Sequence, residues 1–259
     1  MKLAVYQIDA FANQVFAGNP AVVIPLTQWL SDKQMQSIAE ENNLSETAFY
    51  VPNNEGFHIR WFTPASEVKL CGHATLATAF VLFNILAYKG DSITFDSLSG
   101  PLYVYRKESL LTLDFPAQVP DRCEAPTDLI KGLGKRPLEC LCSKDHIAIF
   151  EREEEITNIV PNFDHLKRLN LQGVIISAPG REYDFVARFF APKYGILEDP
   201  VTGSAYTQLT PYWADKLNKT QLKAKQVSAR GGELFCEHKG DRTLISGAAV
   251  KYLEGEIEI

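Results

Sequence analysis

The strongest constraint on the fold is a stretch that occurs twice. FHIRWFTPASEVKLCGHATLATAF, starting at Phe57, lies over FVARFFAPKYGILEDPVTGSAYTQL, starting at Phe185. Phe57, Arg60, Phe62 and Pro64 fall on Phe185, Arg188, Phe190 and Pro192 at one constant offset, with Trp61 on Phe189 and Thr63 on Ala191. After a three-residue insertion, Gly72-His73-Ala74 falls on Gly203-Ser204-Ala205, and both copies run on into apolar, helix-like segments, TLATAFVLFNIL and YTQLTPYWADKL. Chance does not repeat an aromatic–basic pattern followed by Gly-x-Ala at nearly equal spacing. The chain therefore reads as two related halves, each a hairpin, a loop and a helix opening at Gly.

The flanking sequence extends this frame. LAVYQIDAF alternates like a strand, and FAGNPAVVIP gives a Gly-Asn-Pro turn followed by a second apolar run. Ser31 with Gln34 three residues on resembles a capping box opening the helix SDKQMQSIAEEN, and Asn42-Asn43 is its stop signal, because Asn tolerates the left-handed conformation. SETAFYVP, the turn NNEG and FHIRWF then form a hairpin. Its counterpart, GVIISAPGREYDFVARFF, puts apolar Val174 where the first half has Glu46, so that acid is an asymmetric feature of a shared frame. PAQVPDRCEAP has the composition of a linker. The expected domains are 1–115, also receiving the C-terminal strand 250–259, and 116–249.

Composition narrows the class. A chain of 259 residues, 46% hydrophobic and 22% charged, can bury a real core. The net charge of −6, with no local Lys/Arg cluster, gives no electrostatic footprint for nucleic acid. No stretch approaches the roughly 20 apolar residues of a spanning helix, and the N-terminus has no signal-peptide core. Five cysteines without a C-x-x-C pair argue for a reducing, cytoplasmic compartment. The histidines show no ligand spacing and Cys140-x-Cys142 lacks a second ligand pair, so no metal site is expected.

The two helix starts carry the chemistry. Gly72-His73 and Gly203-Ser204 each present unpaired N–H groups and the positive end of a helix dipole, which suits a carboxylate or a developing enolate. If the halves pack with pseudo-twofold symmetry, both starts face one cleft. Each has a titratable neighbour, His73 in the first copy and Glu198-Asp199 in the second. Taken alone, His73 also fits a structural histidine, and Asp199-Pro200 an ordinary Asx turn. Glu46 reads either as a solvated charge after a helix end or as a carboxyl drawn inward by the strand that follows. In the second case desolvation favours its protonated form and tunes it toward proton transfer. Cys71 is either a small buried residue or a thiol at a helix N-terminus, with no thiol opposite, since Val201 takes that place.

In order along almost the whole chain, FAGNPAVV, NNLSETAF, FTPASEVKLCGHATLATA, RFFAPKYGILEDPVTGSA, QVSARGGEL and ISGAAVKYLEGEIEI resemble the phenazine-biosynthesis isomerase (PhzF-like) family, related to diaminopimelate epimerase and proline racemase. The resemblance implies an α+β fold of two pseudo-symmetric domains, each a mixed β-barrel around a central helix, with the active site in the cleft between them. It implies no cofactor and no metal, and a homodimer. By position, Glu46 resembles the family's acid/base, His73 and Asp199 its polar partners, and Gly72, Gly203 and Ser204 its carboxylate binders, with Asn19 a neighbour. The expected activity is isomerisation of a small carboxylate by proton transfer between carbons through one glutamate. The rival readings are a racemase or epimerase using Cys71, and a silent metabolite-binding protein. Cys71-Gly72-His73-Ala74 departs from the Ala-Gly-His-Pro of the phenazine enzyme, which leaves the substrate open.

Overall fold

A computed structural model describes residues 1–259, which divide into two compact units: Met1–Phe115 with Ser246–Ile259, and Pro116–Ile245. The first unit runs β1 (Lys2–Ala10), β2 (Asn19–Pro25), α1 (Asp32–Asn42), β3 (Glu46–Pro52), β4 (Phe57–Phe62), β5 (Glu67–Val68), α2 (Gly72–Phe80), β6 (Ser92–Asp96), β7 (Leu102–Lys107) and β8 (Leu110–Pro116). The second runs β9 (Asp121–Arg122), α3 (Thr127–Leu133), β10 (Glu139–Cys142), β11 (His146–Ile149), α4 (Glu153–Thr157), α5 (Phe163–Leu166), β12 (Val174–Pro179), β13 (Phe185–Ala191), β14 (Ile196–Asp199), α6 (Gly203–Leu217), β15 (Gln221–Gln226) and β16 (Gly232–Lys239). β17 (Arg242–Gly247) and β18 (Ala249–Glu258) close the chain, β18 returning to pair antiparallel with β1. No helix is long and apolar enough to cross a membrane.

The repeat is a repeat of topology. In the first unit β1 pairs antiparallel with β2, β2 parallel with β3, β3 antiparallel with β4, β4 parallel with β6, and β6 antiparallel with β7. In the second, β10, β11, β12, β13, β15 and β16 make the same sequence of antiparallel and parallel pairings. The parallel steps need crossovers: α1 and α2 supply them in one unit, α4 with α5 and then α6 in the other. Each unit is a mixed β-barrel around a central helix, α2 or α6. The α+β class follows.

Local chemistry explains the elements that aim the site. Ser31 and Gln34 form the reciprocal capping box of α1, and Asn43 ends that helix in the left-handed conformation at φ 48°. Directly after it, Glu46 begins β3. Asn19 and Pro20 lie inside β2 rather than in a preceding turn. Gly18, at φ +67°, makes the bend just ahead of them, where a Cβ would meet the Ala10 carbonyl oxygen at 2.1 Å. Pro20 lies opposite Asp9 of β1, and pairing on its other side, with β3, starts one residue later at Ala21↔Glu46.

The central helices are buried along most of their length, α6 emerging at Ser204 and in its last turn, and their residues suit that. In α2, His73 through Ala79 are all buried, and Thr75 and Thr78 turn their hydroxyls back onto the carbonyls of Cys71 and Ala74. α6 carries Pro211 in its interior, where proline removes the bond to the carbonyl four residues back. That carbonyl, on Thr207, accepts instead from the Gln118 N–H at 3.0 Å. The linker thus repairs the helix.

Candidate active site

The two hairpins place equivalent residues equivalently. Glu46 opens β3 opposite Ala21 and Val174 opens β12 opposite His146, so the acid and the valine stand at matching sheet positions. Arg60 on β4 grips Glu67 through Nε and an Nη, both at 2.7 Å, and Arg188 on β13 grips Glu198 at 2.7 and 2.9 Å. Glu198 is therefore the matching half of an ion pair that braces the loop before the helix, and not a free titratable neighbour. One register expectation is corrected. The residue at the N-cap of α6, matching Cys71 at the N-cap of α2, is Thr202 and not Val201. The three-residue insertion that sets Gly72 on Gly203 also sets Cys71 on Thr202; no thiol stands at either position of the second copy.

In the first unit four side chains meet at the start of α2. The His73 ring accepts at Nδ1 from the Asn19 amide at 3.2 Å, with the Cys71 sulfur 3.5 Å from the same nitrogen. Its Nε2 lies 3.2 Å from Glu46 Oε2. Asn19 is wholly buried, His73 is 5% exposed, and the Glu46 side chain is 12% exposed. Although close, Nε2 and Oε2 are not aligned for a hydrogen bond, and neither has one to any other group. The two buried atoms hold each other at ion-pair distance while keeping hydrogen-bonding capacity that a ligand can engage. Gly72 supplies the first N–H of α2, a helix with no side-chain cap.

The electrostatics of this cluster are lopsided. Burial pushes the Cys71 thiol up to about 11, helped by the Glu46 charge, so the sulfur keeps its proton at neutral pH. Burial alone would strip the proton from His73; since the Cys71 thiol is uncharged at neutral pH, it is the Glu46 carboxylate 3.2 Å away that holds the imidazole well above its ordinary range. The Asn19 contact selects between forms. An amide N–H donated to Nδ1 fits the neutral ring with its proton on Nε2, toward Glu46; a second proton requires the amide to turn its oxygen inward.

In the second unit a different apparatus surrounds the opening of α6. Asp199 accepts the Thr202 hydroxyl, Gln226 donates to the Asp199 carbonyl at 2.7 Å, and the Thr202 N–H donates to Gln226 Oε1 at 2.9 Å. Gln226 is fully buried and clamps the loop that presents Gly203 and Ser204. Gly203 is buried and Ser204 is exposed, and no side chain caps this helix either. Thus Glu46, His73, Gly72 and Asn19 come together in the first unit, while Asp199, Gly203 and Ser204 belong to the second. Thr202 and Gln226 were not singled out by sequence reasoning. An amide in a strand carries no local signal of the loop it will clamp.

The family profile described as phenazine biosynthesis-like protein, PhzC-PhzF, matches residues 8–255. The chain belongs to the PhzC-PhzF family. A PhzF-family phenazine biosynthesis protein of Enterococcus faecalis is 48% identical, with full coverage of both chains and a TM-score of 0.98. An uncharacterized isomerase of Pseudomonas aeruginosa is 47% identical over 259 residues, again covering both chains entirely. At 8% identity, a hydroxyproline epimerase of Agrobacterium vitis shares the fold of this PhzF-family chain with a TM-score of 0.62, covering 99% of this chain and 92% of that one.

Proposed function

We propose that this PhzF-family isomerase moves a proton between two carbons of a small carboxylate-bearing metabolite, with Glu46 as the single proton carrier. The Glu46 carboxylate takes a proton from carbon, the electron pair left behind spreads through the conjugated system, and the carboxyl returns the proton at another carbon. The product is an isomer. His73 adjoins the carrier and, with Asn19, sets which ring nitrogen presents a proton to it. Gly72, Gly203 and Ser204 offer N–H groups for the substrate carboxylate, and Asp199 acts as a polar partner in the second unit. The observation that carries this reading is the pair Glu46 Oε2 and His73 Nε2, shielded from solvent, 3.2 Å apart and without hydrogen bonds. The five cysteines are free thiols, in keeping with a cytoplasmic enzyme, and a homodimer is expected from the family resemblance.

A racemase using Cys71 is the second reading, favoured by the 3.5 Å contact between its sulfur and His73 Nδ1. The high proton affinity of that thiol weighs against it. Candidate carboxylates chosen by thermal stabilisation and incubated in D₂O separate the alternatives. Deuterium enters substrate carbon under either enzymatic reading. Cys71→Ala keeps exchanging if Glu46 is the carrier and stops if the thiol is. A stabilising ligand that never exchanges would mean a binding protein.

A further inference from the structure

The second unit gathers a set of metal-ligating side chains that takes no part in the chemistry above. Cys123, Cys140 and His146 each offer a ligand atom, and these atoms all lie within 4.8 Å of one another. The Cys123 and Cys140 sulfurs are 3.6 Å apart, as free thiols. Two thiolates bound tetrahedrally to one zinc-sized ion at roughly 2.3 Å stand about 3.8 Å apart, so the observed spacing matches a shared ion.

Sheet pairing builds the set. Leu141↔Arg122 and Cys142↔Asp121 align β9 with β10, so that Cys123, the next residue, comes level with Cys140 and donates its N–H to the Cys140 carbonyl at 3.0 Å. On the other side of β10, His146 pairs directly with Cys142. Cys140 and Cys142, two apart on one strand, share a sheet face. Sequence spacing gives no hint of this, because the ligands converge across three strands.

The histidine is prepared in the way metal-bound histidines are. It is 4% exposed, and its Nε2 is 3.0 Å from the Asn170 side-chain oxygen, which can only accept, so the ring proton sits on Nε2. The lone pair is left on Nδ1, a buried atom with no hydrogen-bond partner. Cys123 is only partly buried and gives an ion a way in.

We propose that Cys123, Cys140 and His146 form a binding site for a borderline divalent cation of the zinc class, with Cys142 or water in the fourth position. Binding replaces two S–H bonds by two sulfur–metal bonds and releases both protons to solvent.

The test is a Co²⁺ titration of the reduced, chelator-treated full chain under argon. One equivalent should produce a thiolate-to-cobalt absorption and the visible bands of a tetrahedral site, and Zn²⁺ should displace it. Cys123→Ser should lose the thiolate absorption while Cys71→Ala keeps it. Asn170→Ala, which retains every ligand, should bind about 10–100-fold more weakly, and decides the matter if Cys123→Ser fails to fold. A titration without thiolate absorption would overturn the proposal, as would absorption that survives Cys123→Ser or vanishes in Cys71→Ala, the latter assigning the ion to the Glu46–Cys71–His73 cluster.

Discussion

Replacing Glu46 by Gln separates chemistry from stability unusually well. The amide has the size of the carboxyl, so packing at the 12% exposed side chain is kept. The buried Oε2 makes no hydrogen bond that the substitution would break. The charge lost is the partner of His73, but the imidazole escapes isolation by releasing its proton instead of remaining a buried unpaired cation. Stability should therefore change by no more than about 1 kcal/mol, well below the ~3–5 kcal/mol of a broken buried pair that cannot neutralise itself. Proton transfer should fall by about 10²–10⁴, the worth of a positioned general base, which is about 3–5 kcal/mol on the barrier. Deuterium wash-in, followed by proton NMR on the carboxylate that best stabilises the protein, measures the rate; urea unfolding measures the stability. The pH dependence gives a second readout. The raised pKa of His73 contributes stability that is complete below its ordinary value and disappears as pH rises through the folded value. Glu46→Gln should flatten that dependence. Exchange within threefold of the unaltered protein would refute the single-carrier mechanism.

Three further outcomes follow from the structure. Cys71, with a thiol pushed up to about 11, should resist iodoacetamide near neutral pH and react as pH climbs toward that value, and Glu46→Gln should bring the reaction to lower pH; rapid labelling at pH 7 would contradict the burial argument. Glu198→Gln leaves Arg188 with only the Ile156 and Ile159 carbonyls and should cost about 3 kcal/mol in urea unfolding, whereas Glu67→Gln should cost less because Arg60 keeps Asp32 at 2.9 Å. The reverse order would mean the two braces are not equivalent in kind. Pro211→Ala should alter stability by under about 1 kcal/mol instead of returning the roughly 3 kcal/mol that an interior helix proline normally costs, since the Thr207 carbonyl already has the Gln118 N–H; a gain near 3 kcal/mol would refute that repair.

Much of the frame is legible in the sequence alone. The capping box at Ser31, the left-handed stop at Asn43 and the hairpin turning at NNEG are local events, governed by residues a few positions apart, and they occur where the sequence places them. The duplicated motif pointed to matching sheets, and the asymmetry between Glu46 and Val174 survives as a difference at one sheet position. Val201 is one position off the register that the Gly72–Gly203 match itself sets, and the N-cap of α6 confirms Thr202 as the residue matching Cys71.

Residues whose roles depend on distant partners were not legible. Glu198 read as a free acid until the fold put Arg188 against it, and Gln226 as an ordinary strand residue until it closed on the loop before α6. Cys123, Cys140 and His146 showed no ligand spacing, since strand pairing and not sequence separation brings them within 4.8 Å. What the sequence by itself determined is the set of local structures, the twofold repetition and the identity of the odd carboxylate. Only the tertiary structure decided how far each charge is removed from water and what stands beside it. Burial and proximity are properties of packing across the chain, and they set whether His73 holds a proton and Cys71 keeps its own.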